Sequence, residues 1–154
     1  MPKLFVEKSV EINASARRVW DVLTSRATTA EWASEFTAGG PALHIESDWL
    51  IGSPVLWKDQ KEHVIVEGVV TAAQPYALLR FTVFDVRGER SPVSPEDGIT
   101  YKLTEREGKT VLWISQGDFS TMIDGGKYRD LSEDIWDRAL TRIQRLAEGR
   151  GVTK

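Results

Sequence analysis

Along residues 131–149, LSEDIWDRALTRIQRLAEG, apolar positions cover more of a helix than a surface helix needs. At about 100° per residue, Leu131, Ile135, Leu146, Ala139, Ile143, Trp136, Ala147 and Leu140 fall within half of the wheel. Glu133, Gln144, Asp137, Glu148, Thr141, Asp134, Arg145 and Arg138 fill the other half, and only Ser132 and Arg142 intrude on the apolar side. A helix lying on a flat surface buries a stripe of roughly 100° or a little more. An arc of about 180° therefore predicts a helix enclosed on two or three sides. It should begin between Lys127 and Ser132 and stop near Gly149, where GRG supplies a glycine end.

The rest of the chain switches between helical and alternating patterns. KLFVEKSVEIN, residues 3–13, alternates and carries β-branched residues, so it reads as a strand. In ASARRVWDVLTS, Ser15 is placed to cap a helix on which Val19, Trp20 and Leu23 recur at helical spacing. TTAEWASEF reads as a second short helix starting at Thr28 or Thr29, and GGP at 39–41 breaks the chain. Six strands follow: ALHIESDW, SPVLWKD, EHVIVEGVVTAAQ, ALLRFTVFDVR, GITYKLTERE and KTVLWISQGDF. Short connectors between them predict an antiparallel meander. The exception is RGERSPVSPEDG, residues 87–98, which reads as a long loop. Seven strands with segregated helices imply an α+β fold. A strongly curved antiparallel sheet around the final helix would explain its broad apolar face.

Composition narrows the functional classes. The net charge is -3, with 20 basic and 23 acidic residues spread along the chain. No basic stripe announces nucleic acid, and no basic recognition helix follows the two short helices. Cysteine is absent, which excludes disulfides, a thiol nucleophile and thiolate metal sites. With only two histidines, His44 and His63, no histidine-based metal site is expected, and no cofactor either. The start, MPKLFVEK, lacks a signal-peptide pattern, and no apolar run reaches the length of a membrane span. The expectation is a soluble cytoplasmic protein. Six tryptophans supply large, stiff surfaces for a core or a pocket wall.

Several of these segments, in this order, resemble a known family. VEINASARRVWDVLTS, the tryptophan in AEW, EGVVTAAQPYALLRFTV with its Gly and Pro, GKTVLWISQGDF and WDRALTRIQRLAEG carry the likeness. They are similar to the START-like (SRPBCC) superfamily, and more closely to the bacterial relatives of the activator of Hsp90 ATPase. The resemblance covers almost the whole chain, and its motifs are mostly structural. It implies a helix-grip fold: a curved seven-stranded antiparallel sheet around a long C-terminal helix, with two short helices after the first strand. Residues 1–150 would form one such domain and 151–154 a short tail. Family members commonly hold an elongated cavity between sheet and helix. Many bind hydrophobic small molecules, some relatives are cyclases, dehydrases or hydrolases, and one branch binds a chaperone.

Strand alternation selects the residues that face this space. Leu79, Phe81 and Val83 form the more apolar set of the fifth strand, and Ile99, Tyr101 and Leu103 point inward from the sixth, with Thr100, Lys102 and Thr104 toward solvent. On the last strand the resemblance favours Leu112, Ile114 and Gln116 as inward, leaving Trp113 outside. A one-residue slip would reverse that register. Tyr101 and Gln116 are then candidate polar anchors in an apolar pocket, or groups bonded to a neighbouring strand. Trp57, Phe81, Phe36, Trp136 and Leu140 are candidate walls, and each could equally be plain core. Trp20 and Trp32 are assigned to the core.

Candidates for catalysis are weaker. Glu67 lies in the apolar run VIVEGVV, either as a buried acid–base group or as the partner of Arg80 across a hairpin. HIESD places His44, Glu46 and Asp48 on one strand face, as a metal or base-orienting set or as a solvated face. Asp85 is a candidate for the cavity rim. No nucleophile elbow, phosphate loop or dinucleotide fingerprint is present. The leading expectation is a carrier or sensor of a small hydrophobic molecule rather than an enzyme, with a closed or slot-shaped cavity between the sheet and the final helix. A chaperone-binding, ATPase-activating module and a cyclase-, dehydrase- or hydrolase-like enzyme are the alternatives. The chain would act as a monomer or homodimer, and an exposed Trp113 would point to a dimer surface.

Overall fold

The computed structural model describes residues 3–37, 42–85, 97–120 and 124–149. The loop expected at 87–98 falls mostly outside these residues, as do the break at 39–41, the tail at 151–154 and the side chain of Asp85.

The chain opens with β1 (Val6–Ile12), followed by α1 (Ala16–Thr24) and α2 (Arg26–Trp32). Ser15 caps α1 as expected, its hydroxyl accepting from the Arg18 N–H at 3.1 Å. The second helix starts earlier than Thr28, because Ser25 provides the cap and accepts from the Thr28 N–H. Its expected tail is instead a single 3-10 segment, Ala33–Thr37. Strands β2 (His44–Glu46), β3 (Pro54–Lys58), β4 (Val64–Gln74), β5 (Leu78–Phe81), β6 (Phe84–Asp85), β7 (Gly98–Arg106) and β8 (Lys109–Gly117) come next, and then α3 (Gly125–Glu148).

The sheet is antiparallel, with neighbours in the order β1-β8-β7-β5-β4-β3-β2 and β6 beside β4. The meander was therefore legible, and β1 joins its far end beside β8. The helices α1 and α2 carry the chain from one edge of the sheet to the other. The expected fifth strand is interrupted at Thr82 and Val83, yet both of its halves pair with β4. The interruption brings backbones close together. A Cβ on Gly68 would collide with the Thr82 carbonyl, and one on Gly98 (φ +108) would collide with that of Phe81. Glycine on both neighbouring strands thus permits the bend that curls the sheet.

The strand faces agree with the alternation. Leu79, Phe81, Ile99, Tyr101, Leu103, Leu112 and Ile114 are all buried, and Val83 packs partly buried against them. Thr100 departs from expectation: it is buried on the outer face, where its hydroxyl accepts from Arg80 Nε at 2.8 Å. Trp113 does lie on the outer face, half-buried, with Lys102 Nζ 4.8 Å above its ring. That cover weakens it as a sign of a dimer surface.

The final helix begins at Gly125, before the expected window, and ends at Gly149, which takes φ 77 and donates back to the Arg145 and Leu146 carbonyls. Trp136, Ala139, Leu140, Ile143, Leu146 and Ala147 are buried, whereas Leu131 is 48 % exposed. The sheet accounts for only part of the wide arc. α3 packs against β1 on one side and against α1, α2 and the 3-10 segment on the other. Arg18 of α1 fastens the helix end, donating from Nη2 to the Leu146 carbonyl at 2.8 Å and from Nε to that of Ala147. A cation there also favours the helix dipole. Among the described residues no helix is long and apolar enough to cross a membrane.

Candidate functional site

The expected slot between the sheet and α3 is occupied by aromatic rings. Trp49 meets Phe81 at 5.6 Å between centroids, Phe81 meets Tyr101 at 5.8 Å, and Tyr101 meets Trp136 at 6.2 Å. Trp136 in turn meets Phe36 at 5.1 Å and Trp32 at 6.1 Å, and Phe36 meets Trp57 at 5.4 Å. Most of these pairs are edge-to-face, the arrangement favoured by the ring quadrupole. Five of the seven candidate site residues, Trp57, Phe81, Tyr101, Trp136 and Phe36, are therefore joined in one cluster. β3, β5, β7 and α3 position the first four. Phe36 comes from the 3-10 segment.

Gln116 adjoins this cluster through a hydrogen bond, and Leu140 lines a different surface. Gln116 Oε1 accepts from the Trp136 indole N–H at 2.8 Å, so its amide ties β8 to α3. Leu140 lines a groove where α3 crosses β1, together with Lys8, Ser9, Val10, Asp137, Thr141 and Gln144.

The polar atoms of the rings divide into two groups. Trp32 donates to the Val22 carbonyl at 2.9 Å, Trp49 to that of Thr24 at 3.0 Å, and Trp136 to Gln116. Among the described residues, the Trp57 Nε1 and the Tyr101 hydroxyl are buried without a hydrogen-bond partner. Burial drives the Tyr101 pKa well above the usual tyrosine value, so the phenol stays neutral. A buried polar group without a partner costs roughly 1–3 kcal/mol, and native structures contain few of them. Sequence reasoning selected Tyr101 from its inward register. It had no means of seeing that, among the described residues, Trp57 alone of these indoles lacks an acceptor, because the acceptors come from distant segments.

The segment carrying Phe36 is held from outside. Glu35 faces α3, with Oε1 3.1 Å from Arg138 Nε and Oε2 2.6 Å from Arg142 Nε. Arg142 also donates to the Glu31 carbonyl at 2.9 Å. Phe36 itself is half-buried and stands edge-on to Trp57 and Trp136, at 83° and 80°. The arginine that intruded on the apolar side of the helical wheel thus holds the 3-10 segment.

Of the polar candidates, His44 and Glu46 lie on the edge strand β2, beside the strand that carries Trp57. His44 Nε2 lies 2.6 Å from Glu46 Oε2 and 3.5 Å from Glu62 Oε2. Arg26 reaches both carboxylates and Lys58 reaches Glu46. The hydrogen bond with His44 holds the Glu46 carboxyl below its usual pKa against the cost of burial, with help from the Lys58 and Arg26 charges. Of the expected trio, Asp48 is exposed and lines a shallow surface concavity with Arg26 and Glu46, and Glu62 takes its place beside His44. Two carboxylates balanced by two cations form an ion-pair network around a histidine. His63 is exposed beside Asp59. Glu67 stands opposite Leu56 and Phe84 while Arg80 stands opposite Ala72 and Thr100, so the expected cross-strand register between them does not form.

The model of a family described as activator of Hsp90 ATPase homolog 1-like protein matches residues 13–148. No curated protein matches. Among solved structures, the protein ChR145 of Cytophaga hutchinsonii is similar at 22 % identity and a TM-score of 0.69, with 98 % of this chain and 99 % of that one covered. The Aha1 dimer of Colwellia psychrerythraea is similar at 14 % identity and a TM-score of 0.72, over 97 % and 99 % of the two chains. An AHSA1-like protein of Aeromonas hydrophila gives 14 % identity and a TM-score of 0.63, over 94 % of each chain. At these identities the structural likenesses establish the helix-grip fold.

Proposed function

Because the chain belongs to the activator of Hsp90 ATPase homolog 1-like family, whose fold serves ligand binding in general, we propose that it binds a small, largely apolar molecule between its curved sheet and α3. The observation carrying this reading is the pair of buried polar groups, Tyr101 Oη and Trp57 Nε1, that have no partner among the described residues and lie within an aromatic interior. Small-molecule sites are mostly apolar with a few polar groups that fix orientation. A core selected for stability alone would have replaced these two side chains with phenylalanine or leucine, removing the cost of burying them.

The test is native mass spectrometry of the purified protein against lipid-like and aromatic compounds, paired with thermal denaturation. A ligand that binds only the folded state raises Tm with concentration. A one-to-one adduct with a Tm rise supports the reading. The absence of both across the set would refute it.

Chaperone binding is the second reading, and family membership favours it. Stimulation of the host Hsp90 ATPase by the purified chain would support it, and absence of both stimulation and co-purification would count against it.

A further inference from the structure

The rings between the sheet and α3 already touch, so a bound molecule must displace one of them. We propose that the slot between Trp57 and Trp136 is the ligand site, that Phe36 fills it in the ligand-free protein, and that it receives a planar aromatic molecule bearing a hydrogen-bond-accepting oxygen. This inference rests on the ligand-binding reading and narrows it to a place and a chemical class.

The rings differ in how firmly they are held. Phe81 and Tyr101 lie on central strands paired on both sides, and Trp57 lies on β3 between β2 and β4. Trp136 is in the middle of α3 and is bonded to Gln116. Of the cluster rings, Phe36 and Trp49 belong to neither a strand ladder nor an α-helix, and Trp49 is fastened by its indole N–H to the Thr24 carbonyl whereas the Phe36 ring has no polar atom to fasten it. Its 3-10 segment has poorer hydrogen-bond geometry than an α-helix and a small area to unpack. Two edge-on contacts hold its ring, and Glu35 holds its backbone to Arg138 and Arg142.

Moving this segment outward vacates a space the width of one aromatic ring, faced by two indoles. An aromatic ligand would restore the contacts that Phe36 gives up, so the exchange costs the protein little packing.

The unpartnered groups set the ligand's polarity. An indole N–H can only donate, and a neutral phenol can donate to the same kind of partner. Trp57 touches the Phe36 ring directly, and Tyr101 lies one ring beyond, across Trp136. At the slot itself the Trp57 indole N–H calls for an acceptor such as a ketone, ether or quinone-type oxygen. A purely hydrocarbon ligand would leave the indole unpaired, and a ligand with only donors would not satisfy it.

The test uses two probes of nearly equal shape, 2-acetylnaphthalene and 2-ethylnaphthalene, followed by tryptophan fluorescence and calorimetry. The wild-type chain should prefer the ketone by about tenfold. Trp57→Phe should cut that preference to within about threefold. Phe36→Ala should tighten both probes by about tenfold, because the internal competitor is gone. Glu35→Ala, which leaves the core intact, should tighten both by a smaller factor and serves if Phe36→Ala fails to fold. Binding unchanged or weakened in both the Phe36 and Glu35 variants would overturn the slot. An undiminished ketone preference in Trp57→Phe would overturn the assigned chemistry. If lipid-like compounds bind while neither naphthalene does, the slot proposal fails and ligand binding stands. If nothing binds, both fail.

Discussion

Two parts of the interior are built from the same residue types and treat their polar atoms differently. On the α1–α2 side, Trp32 and Trp49 each give their indole N–H to a backbone carbonyl, and Thr29 Oγ1 accepts from the Ile45 N–H at 2.9 Å. Trp57, against Phe36, and Tyr101, against Trp136, are buried and have no such partner among the described residues. The first region is finished as a core. In the second, packing is complete and hydrogen bonding is not. Aromatic content alone would not separate a core from a binding surface here. The polar tips do.

The largest expected effect lies in the finished region. Trp32 is fully buried, packs on Trp136 and bonds to Val22. Trp32→Ala should cost about 3–5 kcal/mol by urea denaturation. A cost below about 1 kcal/mol would show that this region is not the structural core and would dissolve the contrast.

Next comes a change that creates at Trp136 the condition found at Trp57 and Tyr101. Gln116→Leu keeps the volume roughly constant and removes the acceptor of the Trp136 indole. Leaving that donor buried and unpaired should cost about 1–3 kcal/mol. A neutral outcome would mean that unpaired indoles are tolerated throughout this interior, and Trp57 would then carry no special meaning.

The fold was legible because each of its main signals is local. The arc on α3 and the alternation on β5, β7 and β8 come from periods of about 3.6 and 2 residues, which the sequence displays directly. What was missed depends on residues far apart in the chain. The interruption at Thr82 follows from close backbone approach at Gly68 and Gly98, on two other strands. Glu62 joins His44 from another turn, while Asp48, two residues past Glu46, turns away to solvent. The breadth of the α3 arc was read as the grip of the sheet, whereas α1, α2 and the 3-10 segment supply the opposite wall. Within the candidate site, five of seven residues were placed in one cluster from register and aromatic character. Gln116 is inward as expected, but its amide is already committed to Trp136. The division between satisfied and unsatisfied donors was invisible, since it is a property of pairs.

The smallest expected effect is also the one whose sign separates the two regions most cleanly. Tyr101→Phe deletes only the hydroxyl that lacks a partner. In the ligand-free protein this should raise stability by about 1 kcal/mol, where the loss of a bonded hydroxyl would lower it. Alkaline pH gives an independent reading. The ordinary tyrosine pKa is 10.0, and burial holds Tyr101 above it in the folded chain. Above that pH the unfolded chain has released the proton and the folded chain has not. The unfolded state therefore binds fewer protons, and stability falls as pH rises. One such group contributes a slope of up to about 1.4 kcal/mol per pH unit, beginning near the unfolded value. Subtracting the denaturation curves of Tyr101→Phe from those of the wild type isolates this contribution from the other tyrosines and lysines. The gain from the substitution should thus be modest at neutral pH and should widen above pH 10.0. A variant less stable than wild type at neutral pH would mean that the hydroxyl is bonded in solution, and the two regions would then be one core.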